Sequence, residues 1–142
     1  MGRLVAIDCG RKRTGIAVSD TLQLIANGLC TLATHEVVPF LSDYVQREPV
    51  ERFIVGLPHT LDDRPSESMR YVEPLVNKLR AALPDIPVDF FDERFTSALA
   101  HRAMLDGGLR RKERQNKALV DEISATIILQ SYMESKIYNH KS

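Results

Sequence analysis

The sequence predicts an α/β domain built on a mixed sheet, antiparallel at first, with helices on its faces. Three observations predict it. Apolar runs separated by only a few turn residues fill the first quarter of the chain. Two later apolar runs, "RFIVGL" at 52–57 and "IPVDFF" at 86–91, are isolated from one another. Stretches of helical period lie between and after them. Closely spaced strands form a meander, and strands alternating with helices form a sheet covered on its faces.

The elements follow in order. Residues 3–9 read as the first strand, "GRK" at 10–12 as a turn and 13–19 as the second strand, with Gly10 and Gly15 giving backbone freedom near that turn. A third strand fits within 23–33. Pro39 suits the first turn of a helix running to about Gln46. The strand at 52–57 ends at Pro58, and "HTLDDRPSE" at 59–67 is a polar loop. Met69, Val72, Leu75, Val76, Leu79 and Leu83 then recur at helical spacing, with Pro74 expected to kink the helix. The strand at 86–91 closes at Asp92 and Glu93. Thr96 can cap a short helix that stops at Gly107 and Gly108. Asn116 can cap a final helix with Leu119, Val120, Ile123, Ile127 and Ile128 apolar, and 139–142 are expected to fray.

With 142 residues, 44% of them apolar, the chain is expected to be one domain, 1–142. No apolar run approaches the roughly 18 residues of a membrane span. No secretory pattern opens the chain, and Cys9 and Cys30 make neither a disulfide framework nor a zinc site, so a reduced cytoplasmic protein is expected. The 19 basic and 19 acidic residues balance, so only a local patch can attract a polyanion.

Asp8 raises the chemical question. It follows Val5, Ala6 and Ile7 in a strand expected to be buried on both faces, where an unpaired carboxylate is costly. Glu93 lies just past the last strand, beside Asp92, and Asp121 lies about one turn into the final helix, near Ala118, Ser124 and Ala125. Small neighbours would let that helix approach the sheet closely. Converging acids repel unless protonated or bound to a cation, and oxygen-only donors suit Mg²⁺ or Mn²⁺. Such ions activate water and stabilise the leaving oxygen of a phosphodiester. Each acid also has a plainer role open to it. Asp8-Cys9-Gly10 can close a turn, Glu93 can pair with Arg94 or Arg13, and Asp121 can be a solvated acid near a helix N-terminus.

Four stretches, "AIDCGRKRTGIAVSD" (6–20), "IVGLP" (54–58), "DERFTS" (92–97) and "KALVDEISATIILQSY" (117–132), occur in this order over nearly the whole chain. In these the chain resembles the YqgF/RuvX family, the Holliday-junction-resolvase-like proteins of the RNase H-like superfamily. The resemblance implies an RNase H-like fold whose five-stranded mixed sheet has the order 3-2-1-4-5. It implies a catalytic and metal-binding set of Asp8, Glu93 and Asp121, with Asp92 a candidate fourth acid. It also implies a nuclease maturing the 5′ end of pre-16S ribosomal RNA, with resolution of branched DNA as the less favoured activity. Ser19 and Asp20 match the family motif and are expected to act in a turn or cap. The family's usual "LNMDG" after "GLP" is here "HTLDD", which loses a glycine at Asp63 and leaves His59 as a loop histidine.

Residues 101–117 hold six basic residues against two acidic ones. Arg110, Arg111, Lys112, Arg114 and Lys117 form one cluster, and Lys12 and Arg13 join Arg11 in another beside Asp8. Basic patches near an acidic site fit a phosphate backbone. With no Trp and few aromatics, recognition through backbone and shape is expected over base stacking. The implied partners are pre-16S RNA and ribosomal particles, and a homodimer would suit a double-ended precursor. Two rivals remain. "DCGRKRTG" also fits the first phosphate loop of actin-type and sugar-kinase ATP-binding proteins, but those close two lobes and this length supplies one. A nucleic-acid-binding module without chemistry is the other.

Overall fold

β1 (Arg3–Cys9) and β2 (Arg13–Ser19) form a hairpin across a short turn, with Val5 opposite Val18 and Asp8 opposite Gly15. β3 (Ala26–Ala33) continues the meander antiparallel to β2. A single 3₁₀ turn, Thr34–Glu36, leads into helix α1 (Val37–Arg47). β4 (Val50–Leu57), α2 (Met69–Ala82), β5 (Val88–Asp92) and α3 (Lys117–His140) follow. This computed structural model describes residues 2–57, 69–92 and 117–140, the last segment with side chains over 122–135.

β4 and β5 run parallel to β1, and the sheet order is β3-β2-β1-β4-β5. The order follows from the chain. Short turns keep β2 and β3 on one side of β1, and the longer connections through α1 and α2 carry β4 and β5 to the other.

Alternation along β1 divides the core. Val5, Ile7 and Cys9 face one way, packed with Val37, Leu41 and Tyr44 of α1 and Val72, Leu75, Val76 and Leu79 of α2. Leu4 and Ala6 face the other way, under Ala125, Ile128, Leu129 and Met133 of α3. β1 is thus covered on both sides, and Leu4 to Ile7 are fully buried. Each large apolar side chain so buried contributes about 1.5–3 kcal/mol.

The boundaries depart from the sequence reading in a few places. β4 starts two residues early at Val50. β5 starts at Val88 and ends on Asp92, because Pro87 has no backbone donor and instead accepts the amide of Phe53 through its carbonyl at 3.0 Å. α2 runs continuously through Pro74, which stands exposed in its second turn while Val72, Leu75, Val76 and Leu79 hold both sides of it to the sheet. Asn139 and His140 continue α3, since no Pro or Gly after Lys117 stops it. The stripe that α3 turns to this face of the sheet is Ala125, Ile128, Leu129 and Met133, and Ile127 beside it is buried as well. The short helix expected from Thr96, the Asn116 cap and the 59–67 loop lie outside the described residues. Among the described residues no helix is long and apolar enough to cross a membrane.

Candidate active site

Asp8 is the penultimate residue of β1 and is half-buried, next to the strand's carboxyl end. It shares its face with Leu4 and Ala6, so it lies on the α3 side of the sheet. Its partner on β2 is Gly15, and the parallel register Ile7 to Val55 brings Gly56 alongside on β4. The carboxylate therefore has a glycine on each neighbouring strand, and no side chain from either position crowds it. One strand further out, the same row continues to Thr31 on β3 and Phe91 on β5. Gly15 sits inside β2, as expected, and no described glycine has a positive φ, so its part here is to leave space beside Asp8.

α3 runs antiparallel to β1 over this face. Met133 lies with Ala26 near the β2–β3 turn. Glu122 lies over Gly28, where an added Cβ would come within 2.5 Å of its Oε1. Tyr132 bonds Asp89 of β5 at 2.8 Å. Gly28 pairs with Ala17 and Ala17 with Ala6, so Glu122, near the amino-terminal end of α3, lies over the row of Ala6, two residues before Asp8 in β1. Asp121 is the helical residue before Glu122, and its side chain lies outside the described residues. Glu93 lies outside them as well. Asp92 ends β5 on the face of Val88 and Phe90, opposite to Phe91 and so opposite to Asp8, which removes it as a neighbour of Asp8 on this sheet. Among the described residues no three His, Cys, Asp or Glu side chains are grouped as a metal site.

The turn after Asp8 is held firmly. The Gly10 amide donates to the Arg13 carbonyl at 2.9 Å, and a side chain at Gly10 would collide with that same oxygen. Thr34 grips the turn from the end of β3. Its hydroxyl donates to the Gly10 carbonyl at 2.8 Å and meets the Thr14 hydroxyl at 2.9 Å, while its amide donates to the Lys12 carbonyl at 2.9 Å. Arg11, Lys12 and Arg13 stand exposed on this fixed turn. Thr14 and Thr34 escaped the sequence reading, and a buried threonine facing another across two strands leaves no sequence pattern.

Ser19 and Asp20 play the expected structural role. The buried Ser19 hydroxyl accepts the Leu4 amide at 2.8 Å and donates to the Asp20 carbonyl at 2.8 Å. Asp20 Oδ1 accepts the amides of Leu24 and Ile25 at 2.7 and 2.9 Å, which hold its carboxyl below the usual range, Ile25 most of all. Both cysteines are free, and burial pushes the Cys9 thiol up to about 11, so it packs as a small hydrophobe. Arg110, Arg111, Lys112 and Arg114 lie outside the described residues. Lys117 opens α3, with its side chain outside them.

A family model described as "RuvX: Holliday junction resolvase" matches residues 2–135. A protein of Phocaeicola vulgatus named "Putative pre-16S rRNA nuclease" is 65% identical over 138 residues, covering 97% of this chain and 99% of its own. Proteins of the same name from Porphyromonas gingivalis and Flavobacterium psychrophilum are 55% and 50% identical, covering 95% and 96% of this chain and 98% and 100% of their own. Among solved structures, "T. thermophilus RuvC in complex with Holliday junction substrate" matches with a TM-score of 0.62 at 15% identity, covering 96% of each chain. At that identity the likeness is one of fold, the RNase H-like arrangement with sheet order 3-2-1-4-5.

Proposed function

This chain belongs to the RuvX family, and on that premise we propose that it is a metal-dependent nuclease that hydrolyses RNA phosphodiesters and matures the 5′ end of pre-16S ribosomal RNA. One observation carries the chemistry: the Asp8 carboxylate stands at the end of β1 between Gly15 and Gly56, on the face of the sheet that α3 covers.

Asp8, Glu93 and Asp121 are the proposed ligands and catalytic acids. Asp121 belongs to the helical stripe of Ala125, Ile128 and Tyr132, at spacings of four, seven and eleven residues. Tyr132 meets β5 and Ala125 meets the sheet, which supports a place for Asp121 on the β1 side of the helix. Asp89 and Phe91 share the α3 face of β5, and Glu93 follows the strand's last residue, Asp92, in the sequence. An all-oxygen donor set of this kind fits Mg²⁺ or Mn²⁺, which when bound supplies an activated water and neutralises charge on the phosphate. Asp8 orients from a rigid strand, and its glycine neighbours leave room for a phosphate. Lys12 and Arg13, on the fixed turn beyond Asp8, contact the phosphate backbone, joined by Arg110, Arg111, Lys112, Arg114 and Lys117.

The test is cleavage of a labelled RNA carrying the 16S 5′ leader, with Mn²⁺, by wild type and Asp8→Asn. The expected result is cleavage by wild type and a loss of more than about 100-fold in the variant, beyond what even outer partners of metal ligands cost. Binding by both with cleavage of neither RNA nor branched DNA makes the protein a binding module. Cleavage of branched DNA alone makes it a resolvase.

A further inference from the structure

The end of the sheet that carries the Asp8 turn has a second side. Opposite the α3 face, a groove of about 820 Å³ opens between the β1–β2 turn, the start of α1 and the first half of α2. Its apolar lining is Ala33, Val38, Pro39, Pro74, Leu75 and Tyr71. Arg11, Lys12, Arg70 and Lys78 line it too, with His35, and among the described residues no acidic residue does. This is a concentration of positive charge on a protein whose 19 acids balance its 19 bases.

Three features say that these cations await an anion. Among the described residues none of Arg11, Lys12, Arg70 and Lys78 is ion-paired. Arg70 sits in the first turn of α2, which holds no acid, at the end of a helix where a positive charge is unfavourable. The backbone that carries Arg11 and Lys12 at the groove's end is pinned by Thr34 with two hydrogen bonds, so binding orders their side chains but not the turn itself. The apolar lining with the Tyr71 ring suits the flat faces of bases, and the volume is that of a small-ligand site.

The geometry points to this groove as a second binding track for the substrate strand: RNA whose scissile phosphate lies at Asp8 continues around the β1–β2 turn and lays its next nucleotides between Arg70 and Lys78. The inference rests on the nuclease reading for its substrate and extends it to the opposite side of the sheet. The β1–β2 turn serves both sides, since alternation puts Arg13 on the Asp8 face while Arg11 and Lys12 line the groove.

The experiment is equilibrium binding of a fluorescent 12-nucleotide single-stranded RNA in EDTA, across a KCl series. The proteins are wild type, Arg70→Ala/Lys78→Ala, and Arg47→Ala/Arg80→Ala as a pair of equal charge away from the groove. All four residues are exposed, and thermal melting checks that each variant folds. The groove variant is expected to bind about tenfold more weakly. Its salt slope should be shallower by about 1.4, the release expected for two single-strand phosphates. The control pair should change affinity less than twofold. Ultraviolet crosslinking of the same RNA carrying 4-thiouridine should label the α2 peptide that holds Tyr71.

Equal weakening by both pairs, unchanged binding by the groove variant, or no label on α2 overturns the inference. So does competition by polyglutamate as strong as by RNA, which would assign the groove to an acidic protein segment. None of these readouts involves cleavage. Failure here leaves the nuclease reading standing, and failure of the Asp8→Asn cleavage test leaves this binding result as it is.

Discussion

The Tyr132 phenol donates to Asp89 Oδ2 at 2.8 Å, and Arg52 Nη1 reaches the same oxygen at 2.6 Å. One carboxylate thereby ties α3 to the β4–β5 side of the sheet, while the Tyr132 ring meets Phe91 edge-on with centroids 6.3 Å apart. Met133 and Glu122 fasten the helix to the β3 side. The proposed active site depends on these ties, because they fix how α3 lies over Asp8.

Tyr132→Phe should cost about 1 kcal/mol near neutral pH, the net worth of a typical hydrogen bond. Burial, then the hydrogen bond and charge of Asp89, push the Tyr132 hydroxyl up to about 12. A group raised in the folded state above its usual value near 10 stabilises fully below about pH 10, and that contribution is lost as pH rises toward 12. Urea unfolding across this range should therefore fall more steeply for wild type than for Tyr132→Phe. Parallel curves would mean the phenol is not coupled to Asp89.

Ser19→Ala should destabilise by about 1–3 kcal/mol. It leaves the amide of the fully buried Leu4 without its acceptor, and an unmet buried donor carries its whole desolvation cost. Chemical denaturation measures this directly. A change under about 0.5 kcal/mol would mean that the amide finds another partner.

Gly28→Ala should cost about 1 kcal/mol, because the new methyl would meet Glu122 Oε1 at 2.5 Å and Cγ at 2.7 Å and force that side chain off the sheet. In a Glu122→Ala background the same change should be neutral or stabilising, since Ala loses less backbone entropy than Gly in a strand. The double-mutant cycle gives the coupling. Additive effects would show that Glu122 does not rest on Gly28.

Asp8→Asn should leave the metal-free Tm unchanged or raised, since it removes one of the proposed converging carboxylates. It should also abolish the rise in Tm that Mn²⁺ gives wild type by binding only the folded state. Thermal melting with and without Mn²⁺ reads both. A large metal-free loss in Asp8→Asn would make Asp8 a structural residue.

Much of the fold was legible because its signals are local. The hairpin of 3–9 and 13–19 is written in two apolar runs and a three-residue turn, and it forms at those bounds. Val72, Leu75, Val76 and Leu79 announced the buried face of α2 by their spacing. α2 keeps its helical hydrogen bonding on both sides of Pro74, because one missing hydrogen bond is a local cost and the packing that holds the helix comes from α1 and the sheet. On α3 the expected apolar Ile127 and Ile128 are buried, and the small Ala125 packs on the sheet as the sequence suggested.

By itself the sequence determined the kinds of element, their order, and a carboxylate at the end of the first strand, since period, turn residues and strand ends are properties of neighbours along the chain. Tertiary structure alone decided that Gly15 and Gly56 flank Asp8 and that Thr34 pins the turn from 24 residues beyond Gly10. It also gathered Arg11, Lys12, Arg70 and Lys78 around one groove. These relations join strands and helices distant in sequence, and they are set by sheet register and by which face each helix covers. Register is a contest among whole-sheet packings, and no window of adjacent residues contains it.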